Sequence, residues 1–216
     1  MAELRAVTPD RVADLLSGCA PCTFWQTLPS NGHVSADDPL ETLADWVARV
    51  GSDWGPPGRI AYVDGEPAGY VLVAPARHVP RLAAFPTAPA DPATVMLLTA
   101  AVPRRNPGTA LRKALVQAAA KEAARHRARA IEAIGARALA RAPHGCVLQV
   151  PFLEEVGFRV EREHPAYPRL RMDLRTALTV REEAAELLSR ALARVPGMRP
   201  VPQGPPDGAT RARSTS

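Results

Sequence analysis

The stretch from Thr99 to Gly135, "TAAVPRRNPGTALRKALVQAAAKEAARHRARAIEAIG", changes character three times. It opens on an apolar run that upstream "TVMLL" extends, and it breaks at Pro107-Gly108. It then continues as a long segment of small and apolar residues interleaved with charge, and it ends in a second apolar run. The outer runs read as buried strands. The middle, from about Thr109 to His126, reads as a helix with Leu111, Ala114, Leu115 and Ala118 on its buried face. A strand, a helix and a strand in succession make a parallel, right-handed crossover. Where such a strand gives way to such a helix, the first backbone N–H groups of the helix lack partners. The helix dipole adds partial positive charge there, so phosphate is the natural guest. Gly108 stands alone in this turn, whereas a nucleotide P-loop needs a second glycine followed by Lys and Ser or Thr, and the dinucleotide fingerprint needs three spaced glycines. On this stretch alone, an ordinary strand-to-helix turn and a phosphate-binding turn both stand.

Working outward, proline and glycine mark the remaining elements. "TPDRVADLLSG" reads as a short helix with Thr8 as N-cap and Pro9 first, and "DDPLETLADWVARVG" as a second with Asp38 as cap and Gly51 as stop. The segment between them, "CAPCTFWQTLPSNGHVSA", has turn formers and no period and reads as loop. "RIAYVDGEPAGYVLVAP" is two apolar runs around Asp64-Gly65, a hairpin signal. A proline-rich loop, "PARHVPRLAAFPTAPADPA", leads into the opening stretch. After the crossover come a loop, the short helix "PFLEEVGF" stopped by Gly157, and two strands around "HPAYP". "VREEAAELLSRALARV" reads as a last helix, and the Pro/Gly-rich end lacks the apolar surface to fold. The resulting division is one domain over residues 1–176, a C-terminal helix over 177–196 and a disordered tail over 197–216. No internal repeat is found.

Bulk properties narrow the function classes. With 216 residues and 46% hydrophobic content, the chain can bury one sizeable core. Met1 to Leu16 lacks the pattern of a secretion signal, and no stretch approaches the roughly 20 apolar residues of a membrane span, so a soluble cytoplasmic protein is expected. Cys19, Cys22 and Cys146 are an odd number, which argues for reduced thiols. "CAPC" lacks the second close pair that a zinc site needs, so no metal is expected. It reads as packing beside Trp25. The net charge of +5 comes from scattered arginines, several of them near the C-terminus, so no nucleic-acid partner is expected.

The order of elements, with "GRIAYVDGEPAGYVLVAP", "AAFPTAP", "ALVQAAAK", "AIEAIG", "FLEEVGF" and "YPRLRMDLRTAL" in co-linear sequence, resembles the GCN5-related N-acetyltransferase (GNAT) superfamily and its actinobacterial branch. The resemblance covers roughly Leu4 to Leu174. It implies an α/β (α+β) fold, a mixed central sheet with a strand–helix–strand crossover flanked by helices. It also implies acetyl-CoA as acyl donor and a small-molecule or protein amine as acceptor. The backbone of Thr99, Ala100, Ala101 and Val102 would bond the pantetheine arm, and Gly108, Thr109, Ala110, Leu111 and Arg112 would hold the pyrophosphate. The fifth strand would splay from the fourth to open a slot for the thioester.

The chain departs from the family pattern at two places. The family turn reads Arg or Gln, any, any, Gly, any, Gly or Ala. "RNPGTA" matches literally from Arg105, but that register puts Lys113 in the core. Sliding by two buries Leu111 and Leu115 and makes the turn Pro107-Gly108-Thr109-Ala110-Leu111-Arg112, with Pro107 for the usual Arg or Gln and Arg112 for the usual Gly or Ala. The second departure is Leu153, which stands where many relatives carry a tyrosine acid. A coenzyme A thiol, with a pKa near the model thiol's of about 8.5, can leave without that acid. Glu132, which interrupts the apolar run "RAIEAIG", is the candidate base, with a structural ion pair as the alternative. Tyr167 reads as a cover residue or a proton donor, and Cys146 as packing or an acyl-site thiol. The expected function is an acetyl-CoA-dependent N-acetyltransferase acting on a primary amine by direct attack. The alternative is a catalytically degenerate binding module for acyl-CoA or a protein partner.

Overall fold

A computed structural model describes residues 2–15, 22–28, 38–102, 109–138 and 147–174. Gly108, Cys19, Cys146, the 177–196 segment and the 197–216 tail lie outside them. The described strands are β1 (Ala2–Ala6), β2 (Gly58–Val63), β3 (Glu66–Pro75), β4 (Val95–Ala101), β5 (Ala130–Ala136), β6 (Leu148–Gln149), β7 (Arg159–Arg162) and β8 (Arg169–Asp173). They form one sheet in the order β1-β2-β3-β4-β5-β8-β7, with β6 paired to β5 off that path. Every neighbour pair along the path is antiparallel except β4–β5, the parallel pair that the crossover requires.

Helices cover both faces of the sheet. Helix α2 (Thr109–Arg125) and the short α3 (Val150–Glu155) pack on one face, where Leu111, Leu115, Val116, Ala119 and Phe152 meet Val71, Leu97, Ile131 and Ala133. Helix α1 (Pro39–Asp53) packs on the other, where Trp46, Val47 and Val50 meet Ile60, Leu72, Met96 and Ile134. The buried phase of α2 matches the register chosen from sequence. Leu111, Ala114 and Leu115 are buried, and Lys113 reaches out to Glu155 at 2.7 Å. Ala118 is only half-buried, because Ala119 and Ala120 take the contact instead.

The helix starts and stops follow local chemistry. The Asp38 side chain accepts hydrogen bonds from the N–H groups of Leu40 and Glu41 and caps α1. Asp64 and Gly65, both at positive φ, turn the β2–β3 hairpin. Gly157, at φ 103°, ends α3: its N–H bonds Glu154 O at 3.0 Å, and Phe158 N–H bonds Leu153 O at 2.9 Å. That explains "VGF" as a left-handed helix cap followed by a core phenylalanine.

Four sequence expectations need correction. Gly51 does not stop α1, which continues to Asp53, because burial of Trp46, Val47 and Val50 outweighs the roughly 1 kcal/mol cost of one helical glycine. The segment after Thr8 is a 3-10 helix, Pro9–Asp14, and Thr8 makes no side-chain cap bond. The proline-rich loop contains two 3-10 turns, Ala76–His78 and Pro80–Ala84. Strands β1 and β6, the latter in a segment expected to be loop, were not anticipated.

Candidate active site

The parallel pair β4–β5 is joined at one position, Met96 opposite Glu132. Beyond it the ladder stops, so the far half of β4 has β3 on one side and, among the described residues, no paired strand on the other. A register shift between β3 and β4 sharpens this opening. Leu72 faces Thr99 while Val73 faces Leu97, so Leu98 is an extra residue on β4. Before the bulge, Val95 and Leu97 point toward α2; after it Ala100 does, while Ala101 turns to the α1 side. Thr99, Ala100, Ala101 and Val102 therefore lie together along the unpaired edge.

The facing edge of β5 is closed by β6, in parallel register Gly135–Leu148 and Ala136–Gln149. The N–H groups of Gly135 and Arg137 bond Pro168 O and Ala166 O on the β8 side, so strand alternation puts β6 on the edge that Met96 occupies lower down. The gap is thus asymmetric: the β5 wall is paired to β6, and the β4 wall is paired to no described strand. Gly135 has no side chain because a Cβ there would stand 2.6 Å from Leu170 Cδ1 and 2.8 Å from Val150 Cγ2. Leu153, fully buried, packs over the same glycine.

Helix α2 begins at Thr109, directly beyond the open end of β4, and Ala110, Leu111 and Arg112 form its first turn. Leu111 is buried in the core. Arg112 turns back to the strand. Its Nε donates to Ala100 O at 3.0 Å, and its guanidinium lies 4.0 Å over the Phe152 ring of α3. Burial pushes its pKa down, and Glu155 opposes that only in part. Arg112 therefore places a partly desolvated positive charge at the junction of β4, α2 and α3.

On the α1 face, Glu132 is nearly buried between two arginines of β8. Arg171 Nη1 donates to Glu132 Oε1 at 3.1 Å and its Nε to Asp173 at 3.0 Å. Arg169 Nε lies 3.2 Å from Glu132 Oε2, but misaligned, so neither atom has a hydrogen bond. Sequence reasoning found Glu132 and missed both arginines. The signal available was the alternation in "RLRMD", which puts Arg169 and Arg171 on one face of a strand. Tyr167 packs edge-on against Phe85 with ring centroids 5.2 Å apart, and Phe85 stacks on Trp25. Thr87 Oγ1 donates to Tyr167 O at 2.7 Å, and His164 Nδ1 accepts the N–H groups of Ala166 and Tyr167, which fixes this loop.

An open mixed sheet that parts at one parallel pair, with helices on both faces, is the GNAT fold, and comparison with solved structures bears this out. A Desulfovibrio desulfuricans protein assigned to the GNAT acetyltransferases superposes with TM-score 0.51 at 19% identity, covering 81% of this chain and 99% of that one. The PaiA N-acetyltransferase of Thermoplasma acidophilum in complex with coenzyme A gives 0.52 at 13%, covering 80% and 99%. The aminoglycoside acetyltransferase AAC(6')-Ib in complex with coenzyme A gives 0.52 at 17%, covering 85% and 99%. At these identities the likeness establishes the fold. No protein-family model and no curated protein matches the sequence. Among the described residues no helix is long and apolar enough to cross a membrane.

Proposed function

We propose that the chain is an acetyl-CoA-dependent N-acetyltransferase that acetylates a primary amine by direct attack. The observation that carries this reading is the bulged edge of β4, which pairs with no described strand as it runs toward the α2 N-terminus, with the half-buried Arg112 guanidinium beside it. Such an edge accepts an extended, amide-bearing arm as a further strand, and the helix start with Arg112 suits an anionic group at its end. The neighbours that hold coenzyme A have the same fold, which supports the same donor here. The co-linear sequence runs support the actinobacterial branch and a domain over 1–176.

Bound acetyl-CoA supplies an acyl thioester. Thr99 to Val102 would hold its arm through backbone bonds, and Gly108 to Arg112 would hold its pyrophosphate. Glu132 Oε2, the oxygen without a hydrogen bond, would take the proton that the acceptor ammonium releases, directly or through water. The C–N bond then forms as the C–S bond breaks, the nitrogen gives up its second proton to solvent, and the departing thiolate takes one up from solvent. Leu153 offers no acid there.

A second reading, a non-catalytic acyl-CoA or protein binder, draws on Arg112 itself, which already occupies the Ala100 carbonyl on the edge that an incoming arm would use. Titration with coenzyme A, then thiol release from acetyl-CoA against a primary-amine panel, separates the two. Glu132→Gln should retain coenzyme A affinity and lose about a hundredfold or more in turnover, partly regained at high pH where the amine deprotonates unaided. Wild-type turnover in Glu132→Gln removes Glu132 as the base; binding without turnover on any amine favours the binding module.

A further inference from the structure

The contact between Glu132 and Arg169 is unusual for a buried ion pair. The two groups are close enough to bond, with Arg169 Nε 3.2 Å from Glu132 Oε2, and the Glu132 side chain is 7% exposed. Both atoms are nevertheless without a hydrogen bond. A desolvated carboxylate and guanidinium normally close such a gap, because each unmet polar group loses its water without replacement. Arg171 differs, since it is engaged by Glu132 on one side and Asp173 on the other. Arg169 makes no hydrogen bond among the described residues. One acceptor oxygen and one guanidinium nitrogen therefore face each other closed to solvent, and a third party reaches them only where the pair opens, from the side on which the Arg169 side chain is 16% exposed.

Their position gives that availability a use. Cross-strand register sets Arg171 opposite Glu132 and Arg169 opposite Ile134, so all four share the α1 face. The α2 N-terminus is on the other face. If the donor arm enters beside α2, as the proposed function has it, the acceptor must approach through the parted strands from the α1 face, where Glu132 marks the point of parting. The nearby wall is aromatic: Tyr167, two residues before Arg169, packs on Phe85. Among the described residues Glu132 is the only buried carboxylate of this face, because the other, Glu122, belongs to α2 and pairs with Arg59 and Arg125. A polycationic acceptor would find Glu132 already shared with two arginines, and Asp14, half-buried on the same face, already taking the Tyr62 hydroxyl.

We infer that the acceptor is a zwitterionic α-amino acid with an apolar or aromatic side chain. Its ammonium is received by Glu132 Oε2, its carboxylate by the Arg169 guanidinium and its side chain by the Phe85–Tyr167 wall. An α-amino acid carries its two charges on one carbon, and the protein presents the complementary pair in direct apposition. Binding would satisfy both orphan atoms at once. Arg169 is then a specificity residue and Glu132 serves both recognition and proton removal. This inference rests on the acetyltransferase reading, and its test is arranged so that the two can fail separately.

The full chain is titrated with coenzyme A and, separately, with phenylalanine. It is then assayed for acetyl transfer to phenylalanine, phenylalaninamide, phenethylamine, spermidine and an aminoglycoside. Phenylalanine should exceed its amide in kcat/KM by about 10- to 100-fold, the range for hydrogen bonds to charged groups, with the difference in KM. In Arg169→Gln the acid-to-amide ratio should collapse toward one, and Arg169→Lys, which keeps charge and loses the fork, should lie between. Thermal melts of both variants establish folding, and the wild-type panel is decisive without them. An amide, polyamine or aminoglycoside acetylated as well as the acid overturns the inference, and so does coenzyme A binding with no uptake of phenylalanine. If coenzyme A does not bind while phenylalanine binds in an Arg169-dependent way, the donor reading falls and the amino-acid site stands.

Discussion

Replacing Arg112 by methionine keeps most of the side-chain volume over Phe152 and removes the charge. In the free protein it deletes the bond from Nε to Ala100 O, about 1 kcal/mol, and a cation–π contact of about 0.5–1 kcal/mol. Apolar packing of the methionine on Phe152 offsets part of that, so a stability loss of roughly 1 kcal/mol is expected. The effect on donor binding is more informative. If the guanidinium meets the pyrophosphate, a charge-assisted hydrogen bond worth about 1.5–3 kcal/mol is lost, and coenzyme A affinity falls by roughly 10- to 150-fold. Pantetheine, which has the arm without the pyrophosphate, serves as control in the same calorimetric titration, and its affinity should change little. Added salt should weaken coenzyme A binding more in the wild type than in the variant. Equal losses for both ligands would show that Arg112 only braces β4 against α3. A gain for both would show that it blocks the edge, and either result refutes its assignment as a phosphate ligand.

Three further outcomes follow from the geometry. Gly69→Ala would put a Cβ 2.8 Å from Ala101 O, and the shift this forces should cost on the order of 1–3 kcal/mol in denaturant melts while weakening coenzyme A binding, since Ala101 lies on the open edge. Burial raises the pKa of Glu122, but its bonds to Arg59 and Arg125 outweigh that and hold it below the ordinary 4.5. The stability it contributes is therefore present at neutral pH and lost as pH falls below about 4.5, and acid unfolding of Glu122→Gln should show a shallower slope over that window than the wild type. Arg127 sits at φ 60° where α2 ends, with Ala128 N–H on Ala123 O, so Arg127→Gly should raise thermal stability by up to about 1 kcal/mol, and a lowered melting temperature would refute the strain argument.

The crossover was legible because Thr99 to Gly135 carries its own punctuation, and α2 was placed in phase because a helix of its length has only one stripe of Leu and Val. The hairpin at Asp64-Gly65 and the cap at Asp38 are local backbone chemistry and were read residue by residue. Strand β1 was not legible. Its sequence "AELRA" mixes charge with small residues, and its pairing to β2 depends on a partner more than fifty residues away. Strand β6 is two residues long and exists because β5 leaves an edge free. Glu132 stood out as a charge in an apolar run, but what faces it comes from β8, and no spacing rule relates residue 132 to residues 169 and 171 before the sheet order is known.

The parting of β4 from β5 has a physical cause within the described residues. Parallel strands pair by slanted, evenly spaced bonds, and nothing in a regular pair would stop the ladder at Met96. The extra residue Leu98 shifts the backbone phase of β4 just beyond that point, so its polar groups no longer line up with those of β5. Strand β5 meets its own need elsewhere, through β6, and the absence of a side chain at Gly135 lets Val150 and Leu153 of α3 close over that pairing. Among the described residues β4 gains no such strand, and Arg112 bonds one of its carbonyls. A protein that only had to fold could cap this edge as it caps β5. Among the described residues that edge lies between a charged helix start on one face and a half-satisfied ion pair on the other. An extended ligand that paired with β4 would take the side that no described strand occupies, so the proposed donor site and the departure of the sheet from a regular ladder would have one cause.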